Sequence, residues 1–214
     1  MERDVTQRGG GPVTVRRGIP AGAERRAAEL YWDAFGRKLG PALDPPDKAV
    51  PFIAAHLNAD RAVCALLDGR LVGLAGHQYG GRSLTGGSAR AVLRAYGHLG
   101  GLRRVLLLAL FHRRPAPGQL VMDGIAVDRD LRGRGVGSLL IEETAAVAAD
   151  LGCRQIRLDV IDTNPRARTL YERRGFTAVR TQHTPCLRGL LGFGAVTTMH
   201  RSVAEKAPEG LSTP

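Results

Sequence analysis

The residues best suited to chemistry in this sequence lie at positions 132–140, in the stretch RGRGVGSLL. Three glycines alternate with bulkier residues and come directly before an apolar run that is typical of a helix. A glycine turn that leads into a helix N-terminus presents free backbone N–H groups and the positive end of the helix dipole. This combination binds phosphate, and Arg132 and Arg134 would add positive charge. The alternative is that the glycines only allow a tight turn.

Other motifs for phosphate binding or catalysis are absent from the sequence. A dinucleotide-binding segment would need glycine or alanine where the chain has Ser138 or Leu140. No glycine run ends in the Lys-Ser/Thr pair of a phosphate-binding P-loop. The sequence also has neither G-x-S-x-G nor H-E-x-x-H, which disfavours serine hydrolases and zinc proteases.

Alternating apolar residues predict the strands that must position this segment. Asp68 and Gly69 join two of these runs and indicate a hairpin, because both residues tolerate positive φ. A helix is predicted from Val136 to Gly152, and another between Asn164 and Gly175. The predicted strands are VTVRR, RAVCALL, RLVGLAGHQY, QLVMDGIAV, QIRLDVI, FTAVR and GAVTTMHRSV.

Three helical regions are expected outside this set. Residues 21–35 have a helical apolar face, which the stretch LGPALDPPDK is expected to break, and a short helix is expected around 51–58 with Pro51 in its first turn. Residues 80–117 read as two helical pieces split at Gly100-Gly101. The second piece is apolar nearly all round, which predicts a buried or interface helix or a lid over a substrate pocket.

Two segments in the right order resemble the GNAT acyltransferase superfamily. The first is R-x-x-G-x-G at Arg132, Gly135 and Gly137, after the strand GIAVDRD and before an amphipathic helix. The second is LDVIDTNPRARTLYERRGF, a strand followed by Asn and then a helix that carries Tyr. The clear resemblance runs from Leu120 to about Val179.

The resemblance implies the fold. It predicts a single α/β (α+β) domain at residues 13–203, with a mixed central sheet of about six to seven strands flanked by helices. Strands four and five would be parallel and splayed, and residues 80–117 would form a helical insertion between strands three and four. We expect a flexible segment at residues 1–12 and a disordered tail at residues 204–214.

The resemblance also implies a binding site for acetyl-CoA as co-substrate. The backbone of Ile125, Ala126 and Val127 would contact the pantetheine amides and polarise the thioester carbonyl, and Gly124 could permit a bulge there. The pyrophosphate would rest on backbone amides of the following residues: Arg132, Gly133, Arg134, Gly135, Val136, Gly137 and Ser138.

Three side chains receive roles from the same resemblance, and each has an alternative. Tyr171, beside the cofactor thiol, would protonate the departing thiolate, or would only pack as an aromatic. Asn164 would hydrogen-bond the cofactor arm, or only cap a helix. Asp123 would deprotonate the amine, or a water molecule would do so and Asp123 would be an ordinary strand residue. Asp159 is expected to be structural.

The implied function is an acetyl-CoA-dependent N-acetyltransferase that acts on a primary amine of a small molecule or a peptide. Residues 80–117 and the connection TQHTPCLRGLLGF depart from the family pattern, and both lie where substrate selection could occur. One alternative is a catalytically degenerate acyl-CoA-binding module. Another is a basic nucleic-acid-associated protein whose RGRG stretch contacts phosphates.

Composition bounds these choices. The formal charge is +11, from 31 basic and 20 acidic residues, but the arginines are dispersed, so nucleic acid is not the expected partner. A basic chain without an acidic cluster disfavours polyamines as acceptors.

Because its histidines and cysteines are dispersed, the chain is expected to bind no metal and to keep its thiols reduced. No run has the roughly 18 apolar residues of a membrane span, and no signal peptide is visible, so a cytoplasmic location without a membrane partner is expected. The sequence is also compatible with a homodimer. The cysteines are Cys64, Cys153 and Cys186.

Overall fold

A computed structural model describes residues 3–5, 11–110, 115–184 and 188–203 of the chain. Across these residues, eight strands form one mixed sheet in the order β1, β2, β3, β4, β5, β6, β8, β7. All of the strands predicted from the sequence are present, and β1 is additional. The strands are β1 (Arg3–Val5), β2 (Val13–Arg17), β3 (Ala62–Leu67), β4 (Arg70–Gln78), β5 (Gln119–Val127), β6 (Gln155–Ile161), β7 (Thr177–His183) and β8 (Ala195–Ser202).

Both predicted terminal segments lie largely outside the described residues. Strand β1 pairs antiparallel with β2 and falls within the segment predicted to be flexible. Residues 1, 2 and 6–10 of that segment are not described, and neither are residues 204–214, where a disordered tail is predicted.

The hairpin predicted at Asp68-Gly69 is confirmed. Both residues have positive φ, 50° at Asp68 and 76° at Gly69. Strands β3 and β4 pair antiparallel on either side of this turn, with Leu67 opposite Arg70. Because successive side chains of a strand point to opposite faces of the sheet, Val63 and Cys64 of β3 belong to different cores.

The strands predicted as the parallel pair, four and five, are here β5 and β6, because the additional strand β1 raises every strand number by one. Their pairing extends only from Gln119 opposite Gln155 to Val121 opposite Arg157. Strand β5 nevertheless continues to Val127 and β6 to Ile161. The two strands therefore separate towards their C-terminal ends, as the family resemblance implies.

Helices cover both faces of the sheet. On one face, Leu140 and Ile141 of α5 (Val136–Asp150) belong to the same buried cluster as Val63. On the other face, Leu30 of α1 (Glu24–Leu43) belongs to the same cluster as Cys64. Within the described residues, no helix is long and apolar enough to cross a membrane. The helices are α1 (Glu24–Leu43), α2 (Pro46–Ala55), α3 (Ala89–Tyr96), α4 (His98–Leu110), α5 (Val136–Asp150), α6 (Pro165–Arg173) and α7 (Arg188–Leu191).

The N-terminal helices differ from the prediction. Helix α1 continues through Pro41 and ends at Leu43, because Asp44 precedes a proline and takes the extended conformation that this position favours. Helix α2 begins at Pro46, so Pro51 lies in its interior rather than in its first turn. The break predicted within residues 39–48 is thus confined to residues 44 and 45.

The insertion between β4 and β5 contains two helices, but the predicted split at Gly100-Gly101 is wrong. The helices separate at Gly97, which has a φ of 76°. Gly101 lies inside α4, where a Cβ would come within 3.0 Å of the Cα of Leu93 in α3. The glycine therefore allows the two helices to pack closely, and it does not end either of them.

Two of the three cysteines are described, and both are free and buried. Burial raises the pKa of the Cys64 thiol to about 12 and also raises that of Cys153. These thiols therefore stay protonated near neutral pH. Cys186 lies outside the described residues.

Candidate active site

The opening between β5 and β6 leaves one edge of β5 without a strand partner from Met122 to Val127. On its other edge, β5 stays paired with β4 through Val127, which lies opposite Gly73. From Ile125 to Val127, strand β5 thus has one edge paired with β4 and one edge that faces the gap, and the backbone groups of successive residues alternate between these two edges. Backbone N–H and C=O groups at such an edge can hydrogen-bond an extended ligand as a neighbouring strand would.

A β-bulge lies at the start of this gap. Gly124 pairs with Gly76 and Met122 pairs with His77, so Asp123 is the extra residue on β5. Gly124 has a φ of 148°, and a Cβ at this position would overlap the ring of Phe35. The bulge anticipated at Gly124 is confirmed, and only glycine fits both its conformation and its contact with α1.

The glycine segment follows β5 and starts α5. Gly135 is the N-cap residue of this helix and adopts the left-handed conformation, with a φ of 85°. Among the described residues, four of the nearby amides donate to no backbone carbonyl; they belong to Gly133, Gly135, Val136 and Gly137. The segment therefore presents a set of free N–H donors at the positive end of α5, which fits a phosphate group.

Arginines flank these donors. Arg132 and Arg134 are both exposed. The Nε of Arg132 donates to the carbonyl of Val127 at 3.0 Å, which holds its guanidinium at the end of β5. The segment is thus electropositive through both its backbone and its side chains.

Asn164 and Tyr171 belong to α6, and the structure places them differently. Asn164 is exposed, and its Oδ1 accepts from the N–H of Ala167 at 3.2 Å, so it is an N-cap residue. Tyr171 is buried, and its ring meets Phe176 edge-on with centroids 5.8 Å apart. Burial raises the pKa of Tyr171 to about 12, which keeps its hydroxyl protonated at neutral pH.

A cavity of about 460 Å³ lies on the α1 side of the sheet and includes Asp123 in its wall. Both regions expected to select the substrate reach this cavity. The insertion contributes Thr85 and Leu108, and the segment between β7 and β8 contributes Thr184 and Phe193. The cavity is therefore lined both by the strands that match the family pattern and by the two regions that depart from it, residues 80–117 and 181–193.

Asp123 is held at the cavity wall by its neighbours. Its Oδ2 accepts from the backbone N–H of Leu84 at 3.4 Å. Burial and the negative charge of Asp123 both raise the pKa of Tyr31, while a hydrogen bond with Thr85 opposes the rise. The Tyr31 hydroxyl is therefore protonated near neutral pH, and Tyr31 lines the same cavity as Asp123.

Asp159 also lines the cavity, although the sequence suggests only a structural role. Its Oδ1 accepts from the hydroxyl of Thr198 at 2.7 Å, and Arg157 lies 3.3 Å from its Oδ2. Sequence reasoning also missed Tyr31. Asp159 alternates with buried Leu158 and Val160, so the strand pattern predicts that it faces the opposite side, but that pattern does not show that Asp159 lines the same cavity as Asp123.

Asp123 and Tyr171 lie in different layers of the molecule. Tyr171 belongs to the core on the α5 face, whereas Asp123 borders the cavity on the α1 face. The gap between β5 and β6 lies between these layers. Within the described residues, no three histidine, cysteine or acidic side chains come together as a metal-binding group.

Solved structures share this architecture. A GCN5-related N-acetyltransferase of Kribbella flavida superposes with a TM-score of 0.57 at 21% identity, covering 89% of this chain and 97% of that one. The ribosomal-protein-S18-alanine N-acetyltransferase of Escherichia coli gives a TM-score of 0.55 at 16% identity, covering 94% and 99%. At these identities the likeness shows the fold.

Sequence comparison identifies the family. The thialysine N-epsilon-acetyltransferase of Bos taurus is 45% identical over 56 residues, which are 26% of this chain. The match spans only 33% of the bovine protein. The sequence profile of the acetyltransferase (GNAT) family matches residues 25–176, well over half of the chain. The chain therefore belongs to the GNAT acetyltransferase family.

Proposed function

We propose that the chain is an N-acetyltransferase that uses acetyl-CoA as co-substrate and acetylates a primary amine of a small molecule or a peptide. The observation that carries the proposal is the gap between β5 and β6, which ends at the free amides of the Gly135 turn. A thioester arm and a pyrophosphate need these two features at neighbouring places, and residues 128–134, which include the short 3-10 helix Arg129–Leu131, connect β5 to the turn.

The proposed acetyl-CoA contacts use backbone groups for the most part. Ile125, Ala126 and Val127 would bind the pantetheine arm along the open edge of β5. The pyrophosphate would rest on the amides between Arg132 and Ser138, with Arg132 and Arg134 adding charge. The side-chain oxygen Oδ1 of Asn164 already caps α6, so the side-chain nitrogen Nδ2 is the atom that would contact the pantetheine arm.

The reaction needs little besides alignment, since acetyl-CoA supplies a reactive thioester. The amine arrives as an ammonium ion and must lose a proton before its lone pair can attack. A bond then forms between nitrogen and the acetyl carbon, the carbon–sulfur bond breaks, and the sulfur takes a proton. The nitrogen releases a second proton as the amide forms. Holding both reactants in place provides much of the rate.

Two side chains are proposed to move these protons. Asp123, at the bulge and in the cavity wall, would accept the proton of the ammonium ion directly or through water. Tyr171, whose pKa burial raises further above neutral pH, would donate a proton to the sulfur. The amine would thus approach from the α1 side of the gap, and the thiol would leave on the α5 side.

The proposal is tested with acetyl-CoA and a panel of amines. A ligand that binds only the folded state adds about 2.7 kcal/mol of stability at a hundredfold excess over its dissociation constant, so thermal unfolding should shift upwards. Release of free thiol should require both acetyl-CoA and an amine. A thermal shift without thiol release from any amine would indicate a binding module instead. Absence of a shift, together with salt-dependent retention of oligonucleotides, would indicate a nucleic-acid protein.

A further inference from the structure

Helix α4 carries an exposed apolar pair. Leu102 is 59% exposed and Leu106 is 62% exposed, and the two lie one turn apart on the same face of the helix. Among the described residues, Val179 of β7 is the only other large apolar side chain that is exposed, at 58%. Single exposed apolar residues are ordinary on protein surfaces, whereas neighbouring ones form a patch that often marks an interaction site.

The two helices of the insertion form one layer over the cavity. Val92 of α3 and Leu108 of α4 both line it, and Gly101 of α4 lies against Leu93 of α3. Because a helix turns by about 100° per residue, the exposed leucines and arginines of both helices lie about 120–160° around each axis from these cavity residues. They therefore face away from the cavity. We call them the outer face, which consists of Arg90, Arg94, Leu102, Arg103 and Leu106.

The insertion is basic throughout. No acidic residue occurs between Asp68 and Asp123, and residues 80–110 contain five arginines. Arg103 is three residues before Leu106, so the two side chains are neighbours on the surface of α4. The apolar pair therefore has a positive charge beside it, and its own segment contains no acidic residue that could offset this charge.

Three of the five arginines belong to the outer face, and none of these three forms an ion pair within the described residues. The other two are engaged elsewhere. Arg82 pairs with Asp60 at 3.0 Å. The guanidinium of Arg104 lies 4.5 Å from the ring centroid of Tyr96, and its Nη2 donates to the carbonyl of Asp44 at 2.8 Å. The positive charge of the outer face is thus accessible to an anionic partner.

The partner of this face must accept leucines and arginines together. A two-fold interface uses the same surface twice, so a second copy of the chain would bring like charges together. A nucleic acid would bind the arginines and leave the leucines in water. An anionic bilayer suits both, because its phosphates attract arginine and its interface accepts apolar side chains without a matching groove.

We propose that the outer face binds the surface of an anionic lipid bilayer. Leu102 and Leu106 would enter the boundary between headgroups and acyl chains, and the arginines would contact lipid phosphates. Helix α4 has 13 residues, fewer than a bilayer span needs, so it would lie in the plane of the interface. The sequence-based expectation of no membrane partner considers only spanning segments, and surface binding needs none. The proposal goes beyond the proposed function and does not depend on it.

Sedimentation of the full chain with vesicles tests the proposal. We expect vesicles of phosphatidylglycerol and phosphatidylcholine to bind the protein at least about tenfold more tightly than vesicles of phosphatidylcholine alone. The physical reason is that each arginine near an anionic surface favours binding by about fivefold. Equal binding to both kinds of vesicle, or no binding to the anionic vesicles, would overturn the proposal.

A leucine variant separates insertion into the bilayer from attraction by charge alone. The double substitution Leu102→Ser and Leu106→Ser should weaken binding to the anionic vesicles by at least about tenfold, because the apolar contact is lost. Val179→Ser is the matched control, since Val179 is similarly exposed but lies on the edge strand β7, and it should leave binding unchanged. If the double variant binds as tightly as the unmodified protein, the leucines do not enter the bilayer and the proposal is wrong.

Arg103→Gln tests the charge separately and serves if the double variant does not fold. It should weaken binding to the anionic vesicles by about fivefold and leave any binding to phosphatidylcholine unchanged. Unchanged binding to the anionic vesicles would contradict the proposed contact with phosphate.

The other two partners give different results. A second copy would appear as a dimer in sedimentation of the protein alone, and the leucine substitutions would dissociate it. A nucleic acid would appear as retention of an oligonucleotide that Arg103→Gln weakens and the leucine substitutions do not. Either result without vesicle binding would overturn the proposal. The proposed transferase function would stand in each case, because vesicle binding requires neither acetyl-CoA nor an amine.

Discussion

At the scale of single residues, the two proposed proton carriers have different surroundings because they lie on opposite faces of the sheet. Asp123 accepts a backbone N–H and borders a cavity, so it has access to an incoming amine. Tyr171 lies in the core beside Phe176, and its pKa rises to about 12 through burial. The Tyr171 hydroxyl is therefore protonated near neutral pH, as the proposed proton donor must be.

Tyr171→Phe separates this role from packing. Within the described residues, burial raises the pKa of Tyr171 without a contribution from a side-chain hydrogen bond, so removing its hydroxyl should leave the melting temperature near that of the unmodified protein. Affinity for acetyl-CoA should hold, and turnover should fall by about a hundredfold to ten-thousandfold, the usual contribution of a general acid. Turnover and melting temperature measured together check this expectation.

Tyr79→Phe is the control for this experiment. The Tyr79 hydroxyl donates to the carbonyl of Leu151 at 3.3 Å, so its loss should cost about 1 kcal/mol of stability and leave turnover unchanged. If Tyr171→Phe also keeps turnover within about threefold, well below the usual effect of losing a general acid, Tyr171 only packs. The proton donor would then be water or another group.

At the scale of elements, sequence patterns predicted those turns and helix ends that are determined by the residues at the same positions. The Asp68-Gly69 turn, the start of α5 at Val136 and the cap of α6 at Asn164 all follow from the residues at those positions. The split between α3 and α4 was predicted wrongly because Gly101 serves a contact between helices rather than a chain break. Packing partners distant in sequence do not appear in a local pattern.

The candidate site divides in the same way. The bulge at Gly124 and the glycine turn at Gly135 were predictable, since each depends on a backbone conformation that glycine favours. The cavity was not, because it combines side chains from α1, α2, the insertion and the last strands. Two carboxylates, Asp123 and Asp159, line the cavity although the chain carries +11, because the overall charge averages over surfaces that no ligand in the cavity would contact.

The glycine turn can be tested as an element. In Gly135→Val, the left-handed conformation should cost about 1–2 kcal/mol, and the new side chain would also occupy the proposed pyrophosphate position. The variant should therefore lose the thermal shift caused by acetyl-CoA. Thermal unfolding with and without acetyl-CoA measures both effects.

Gly152→Val provides the matched control at the other end of α5. Gly152 has a φ of 67°, and a Cβ at this position would meet nothing within 4 Å, so the substitution bears a similar conformational cost. We expect a lower melting temperature and an intact acetyl-CoA shift. If Gly135→Val keeps the shift as well, the segment is only a turn.

At the scale of the whole molecule, ion pairs join the layers that surround the site. Arg26 of α1 lies 2.7 Å from Asp128 at the end of β5. On the other face, Arg17 of β2 lies 2.7 Å from Glu143 of α5. Both arginines are partly exposed, so each pair contributes at most about 1 kcal/mol to stability. These ion pairs therefore contribute little to stability. Burial of the apolar residues in the three clusters between the sheet and its helices and among the helices provides most of the folding free energy.

The pH dependence of global stability should depend on His77 in β4. His77 is 2% exposed, and its Nδ1 has no hydrogen-bond partner in the described residues. Burial, followed by repulsion from Arg61, lowers its pKa to about 4. Since the unfolded value is about 6.5, the unfolded chain binds the proton first as the pH falls. The stability contributed by neutral His77 is thus present above pH 6.5 and is lost towards pH 4.

His77→Gln tests this dependence because glutamine does not titrate in this range. Between pH 7 and pH 5, the free energy of unfolding of the unmodified protein should fall by about 2 kcal/mol more than that of the variant, as calculated from pKa values of 6.5 and 4. Between pH 7 and pH 8.5, the two proteins should show parallel curves, since His77 is neutral in both states. Urea unfolding at each pH provides the measurement. Equal losses in the two proteins down to pH 5 would show that His77 is protonated in the folded state, and solvent must then reach its ring.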